Sequence, residues 1–96
     1  MDIKKAEQYI KWEAALRDER AKARIASRLF RLAATGHAGD AEPVGEGVSE
    51  MRIHYGPGYR VYYKQAGNVI VLLLVGGTKK TQSADIALAK EMARSI

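Results

Sequence analysis

The unbroken apolar run Val69–Val75 is what most narrows the folds open to this chain. Bounded by Ala66-Gly67-Asn68 before it and Gly76-Gly77 after it, the run reads as a strand covered on both faces or nearly so. It falls far short of the roughly 20 residues that span a bilayer. A strand so buried belongs in a sheet, and the residues before it supply partners. Met51, Ile53 and Tyr55 alternate with Glu50, Arg52 and His54; Gly56-Pro57-Gly58 turns the chain; Tyr59, Val61 and Tyr63 alternate with Arg60, Tyr62 and Lys64. The pattern predicts a β-hairpin with a three-residue turn, in which Tyr55 pairs with Tyr59, His54 opposes Arg60, Arg52 opposes Tyr62 and Glu50 opposes Lys64. The run Val69–Val75 is then the expected centre of the sheet.

The first third of the chain has helical periodicity. Tyr9, Trp12 and Leu16 recur on one helix face, and Asp18 with Glu19 offers an N-cap and a first-turn acid for a second helix. In that helix Ala21, Ile25, Leu29, Leu32 and Ala33 form an apolar stripe, and Gly36 stands where a left-handed C-cap is wanted. Residues 36–47 read as a loop. Gly76 to Ser83 reads as a second loop, leading into a last helix with Ile86, Ala89, Ala93 and Ile96 on its apolar edge and Asp85 near its N-terminus. Residues 1–3 have room for a short edge strand only. The expected class is α+β: an N-terminal helical hairpin packed on a small antiparallel sheet, with a short C-terminal helix, as one domain over 1–96.

Charge is distributed unevenly along the 96 residues. Residues 1–35 carry nine basic groups against five acidic; residues 36–50 carry Asp40, Glu42, Glu46 and Glu50 and no base; the remainder carries seven basic groups and two acidic. The absence of Cys removes disulfides, thiol catalysis and thiolate metal sites. With only His37 and His54 to add, no metal-ligand spacing is visible, and neither a metal nor a small-molecule cofactor is expected. The chain opens at a Met with no apolar stretch suited to a signal peptide, so a cytoplasmic location is expected.

The alternation assigns the apolar hairpin face to the helices and leaves Arg52, His54, Arg60 and Tyr62 on the opposite face, which is expected to be open. Lys79 and Lys80 leave the end of the central strand beside it. Guanidinium, ammonium, imidazole and phenol groups in one concave patch suit RNA cleavage by the neighbouring 2′-OH, through phosphate anchoring, stabilisation of phosphorane charge and proton transfer. Arg20, Arg24, Arg28 and Arg31 recur at helical spacing on the second helix. Such a row is commonly a solvated face; as a functional feature it is matched to sugar–phosphate, and with Lys64 it makes up the expected RNA-binding set. His37, in a Gly-flanked loop, and the Gly76-Gly77 pair read as structural.

Taken together, Gly47-Val-Ser-Glu-Met-Arg-Ile53, Gly56-Pro-Gly-Tyr-Arg-Val-Tyr-Tyr63, the Leu-rich strand, Gly76-Gly-Thr-Lys79, Gln82 and Asp85-Ile86 resemble the RelE/ParE superfamily of toxin–antitoxin toxins. Within it the chain looks most like the phage-derived, HigB-like addiction module killer proteins. The resemblance implies a RelE-like fold, a cognate antitoxin, and action on mRNA at the ribosome as a metal-independent endoribonuclease. By motif, Arg60 matches the phosphate-stabilising arginine, Arg52 a basic position on the preceding strand, and Lys79 or Lys80 the strand-end base; His54 and Tyr62 are proton-transfer or stacking candidates. Alternatives are a ParE-like, non-enzymatic poison of DNA gyrase and a nucleic-acid-binding relative without catalysis. Thr78 and Glu42 depart from the pattern, and no general base is assigned.

Overall fold

The computed structural model describes residues 1–96. The chain runs β1 (Asp2–Lys5), α1 (Glu7–Ala15), α2 (Glu19–Thr35), β2 (Ala41–Gly45), β3 (Val48–Ile53), β4 (Tyr59–Ala66), β5 (Ile70–Thr78) and, after a 3-10 turn at Lys79–Thr81, α3 (Gln82–Arg94). Asp18 separates the first two helices by capping the second: its carboxylate accepts the backbone N–H groups of Arg20 and Ala21 at 2.9 and 3.2 Å. Gly36, at φ 78°, ends α2 in the left-handed conformation that a glycine adopts without a Cβ clash, and its N–H bonds the Leu32 carbonyl. Between them Ala21, Ile25, Leu29 and Leu32 are buried, as the stripe requires.

The sheet has the order β1-β5-β4-β3-β2 and is antiparallel except for β1, which pairs in parallel with β5. It is therefore mixed, and β4 occupies its middle. The run Val69–Val75 is one place off centre, yet β5 is still covered on both faces. On one side Val71 and Leu73 join Tyr9, Ile25, Leu29 and Leu32 beneath the helical hairpin. On the other, Leu74 and Val75 join Val48, Tyr62, Ala89 and Ala93 beneath α3. The architecture is helix–sheet–helix, and no helix is long and apolar enough to cross a membrane.

Three local expectations are corrected. The hairpin register is shifted by two residues, to Arg52↔Arg60, Glu50↔Tyr62 and Val48↔Lys64, because the turn spans His54–Gly58. A backbone bond from Lys79 N–H to the Gly58 carbonyl, 2.9 Å, fastens that turn to the end of β5. A shift of two preserves side-chain faces, so the alternation argument survives it. The acidic segment read as loop supplies β2, which pairs Ala41↔Met51 and Glu42↔Glu50; Pro43 is tolerated because this strand lies at the sheet edge. Finally, β5 continues through Gly76 and Gly77. A Cβ on Gly76 would fall 2.0 Å from Trp12 Cε3, and one on Gly77 would fall 1.8 Å from Asp85 Oδ2. The pair lets α1 and α3 close onto the strand from opposite sides.

Candidate functional site

Alternation correctly groups Arg52, Arg60 and Tyr62, but their face is closed. Helix α3 lies over it, so Tyr62 has no exposed surface and Arg60 only 7%. At its centre is Glu50, 2% exposed, which accepts from Gln82 Nε2 at 2.8 Å, Tyr62 OH at 2.9 Å and Arg52 Nε at 3.1 Å. Burial pushes the Glu50 carboxyl up; the hydrogen bonds from Gln82, Arg52 and Tyr62, aided by the Arg60 charge, outweigh it and hold the group below its ordinary value. The same burial, reinforced by the Glu50 carboxylate, holds the Tyr62 phenol well above the normal tyrosine range. A phenol so placed keeps its proton and shares it with Glu50 only as a hydrogen bond.

Arg52 is equally committed. Besides Glu50, its guanidinium reaches Glu42 at 2.7 Å and Asp40 at 3.4 Å, and Asp40 also contacts His54 Nε2. Of its three acidic partners, Glu42 comes from β2 and Asp40 is the residue before that strand. Arg60 has no carboxylate partner; Nη1 donates to the Gly58 carbonyl at 2.9 Å and Nε is buried without a partner. Lys79 and Lys80 are exposed on the 3-10 turn, while Lys64 turns toward the end of α3 and donates to the Ala93 carbonyl at 3.4 Å. The open cationic face expected from the sequence is thus a covered network in which carboxylates compensate Arg52. No group of three or more His, Cys, Asp or Glu is placed to hold a metal ion.

The cationic concavity lies elsewhere. Arg20, Arg24 and Arg28 of α2 meet His54 along a cleft of about 680 Å³. Arg28 fixes its wall, donating to the carbonyls of Arg52, Ala38 and Asp40 at 2.7, 2.8 and 3.2 Å. Burial lowers the pKa of Arg28, with Asp40 opposing. Arg24 lies over the Tyr55 ring at 4.7 Å, and Tyr55 OH donates to Asp18. Arg31 is exposed on α2 outside this cleft.

His54 is therefore brought to the α2 cleft and not to Arg60. Asp40, Glu42 and Gln82 were missed as partners; the acid-only stretch of residues 36–50 was the signal for the first two, and Gln82 carried none beyond the motif.

Comparison with known proteins fits this architecture. The family described as "ParE toxin of type II toxin-antitoxin system, parDE" matches residues 1–81. An "Uncharacterized protein" of Haemophilus influenzae is 43% identical over 96 residues, spanning 100% of this chain and 96% of its own. Among solved structures, the free state of a mutant E. coli toxin RelE superposes with a TM-score of 0.77 at 15% identity, covering 94% of each chain. A chain of the intact E. coli RelBE toxin–antitoxin complex superposes with a TM-score of 0.67 at 15% identity, covering 79% of this chain and 93% of that one. At that identity the two structures share the fold alone.

Proposed function

This chain belongs to the ParE toxin family, which makes it the toxin component of a type II toxin–antitoxin module, and on that premise we propose that it acts by binding DNA gyrase stoichiometrically, without cutting RNA. The observation carrying this reading is the closure of the sheet face: Tyr62 is fully buried and Arg60 nearly so. A nuclease of the kind expected from the sequence needs phosphate donors and a proton acceptor that a scissile phosphate can reach. Here Arg52, though partly exposed, is held by three carboxylates, and the phenol is locked on Glu50 beneath α3. The HigB-like subgroup and ribosome association carry no comparable support. The cognate antitoxin is the expected partner that holds the toxin inactive.

The test runs two measurements on one protein. Purified toxin titrated into gyrase and plasmid should inhibit supercoiling at near-equimolar ratio and accumulate cleaved DNA. Brief expression in cells should leave the pattern of mRNA 5′ ends unchanged. New 5′ ends with normal supercoiling would overturn the proposal and return Arg60, Arg52, Lys79, Lys80, His54 and Tyr62 to the catalytic roles first expected of them.

A further inference from the structure

The arginine row of α2 has no role in the network around Glu50. We infer that the cleft it lines with His54 binds the phosphate backbone of duplex DNA, so that the toxin contacts the DNA of its target as well as the protein; this deepens the gyrase reading and rests on it for the choice of DNA.

The argument begins with the donors. Arg20 and Arg24 form no ion pair and no side-chain hydrogen bond within the chain, whereas the other guanidinium beside the cleft, that of Arg28, is spent on carbonyls. Carbonyls satisfy donors without cancelling charge, so the cleft keeps the field of all three arginines. Of the acids near the cleft, Asp18 beside Arg20 accepts from the backbone N–H groups of Arg20 and Ala21 and from Tyr55 OH, and Asp40 is engaged by Arg52 and His54. Arg24 is also held in place by the Tyr55 ring, so less side-chain freedom remains to be lost when it binds.

Shape and lining then choose among anions. Residues four apart on a helix stand about 6 Å apart along it, close to the spacing of successive phosphates on one strand. Only Ala23 and Ile53 are apolar in the lining, with Ser27 adding a hydroxyl, so an acidic peptide would find no pocket for an aromatic or aliphatic anchor. Single strands are recognised by stacking unpaired bases on aromatic rings, and the ring nearest this cleft, Tyr55, is already covered by Arg24. A duplex stacks its bases inside and carries its charge on the phosphates outside, and charge is what the cleft offers.

The experiment measures binding of the free chain to a labelled 16-base-pair DNA duplex by fluorescence anisotropy across a salt series. Arg20→Gln/Arg24→Gln should weaken binding roughly tenfold or more at low salt and flatten the log–log salt slope by about 1.8, two contacts at about 0.9 each. Lys4→Gln/Lys11→Gln removes the same charge from β1 and α1 and should stay within about twofold of the parent. The parent and both variants are compared as proteins whose thermal melts match. Equal losses in both variants, tighter binding of single-stranded RNA, or displacement of the duplex by an acidic peptide at equal charge would each overturn the inference. No gyrase is present, so this outcome is read separately from that of the supercoiling assay.

Discussion

Substituting Gly76 by Ala should damage the fold through one identifiable contact. The added Cβ would lie 2.0, 2.2 and 2.5 Å from Trp12 Cε3, Cδ2 and Cζ3, where ordinary carbon contacts are about 3.5–4.0 Å. Either the indole retreats by more than about 1 Å or β5 does. Neither is free: the indole stands between Tyr9 at 5.6 Å and Tyr59 at 6.2 Å, and at Gly76 β5 is paired with Val61 of β4, while β1 holds it from Ile70 to Leu73. Overpacking of this kind costs about 1–3 kcal/mol. For a domain of about this size each kcal/mol lowers Tm by roughly 4–8 °C, so a fall of about 4 °C or more is expected. The assay is a double-mutant cycle by thermal and urea melts on the parent, Gly76→Ala, Trp12→Ala and the double variant. Trp12→Ala opens the space, so Gly76→Ala should cost little in that background, giving a coupling of about 1–3 kcal/mol. An equal cost in both backgrounds would refute the reasoning and place the demand for glycine in the strand backbone.

The low carboxyl pKa of Glu50 stabilises the fold above the pKa it has in the unfolded chain, and that stabilisation is lost as pH falls through the native value. Urea melts from pH 7 to pH 3 should therefore show a shallower acid loss for Glu50→Gln than for the parent. Tyr62→Phe, which removes one donor to Glu50, should cost about 1 kcal/mol in urea melts while gyrase inhibition at saturating toxin is unchanged; loss of toxicity in a folded variant would point back to proton transfer. Asp18→Ala removes the cap of α2 and the acceptor of Tyr55 OH together, so it should lower Tm more than Tyr55→Phe does.

What could be read in advance follows the range of the interactions. Asp18, Gly36 and the stripe from Ala21 to Leu32 act within one helix, and periodicity located them. The hairpin strands and the faces of their side chains were equally legible, since period two survives a register slip of two. What covers each face was not. Ala89 and Ala93 mark an apolar edge of α3, but nothing in their spacing says that this edge lies on Tyr62, and that contact turned an expected open site into a second core. Similarly, Asp40 and Glu42 sit in a Gly- and Pro-containing stretch whose local signals favour a loop; pairing with β3 overrides them and delivers both acids to Arg52. His54 followed the longer turn to α2.

The parallel pairing of β1 with β5 also sets the order in which the molecule can be completed. Asp2–Lys5 is the first strand to leave the ribosome, yet its partner begins at Ile70. At roughly 5–20 residues per second, some 3–13 s of synthesis separate the two. During that interval the helical hairpin has only part of the sheet that buries Tyr9 and Leu29, because Val71 and Leu73 have not been made. Contacts this distant in sequence also close slowly. A toxin wired in this way comes into being all at once and late, and the time before β5 exists is time in which its neutralising partner can already be present.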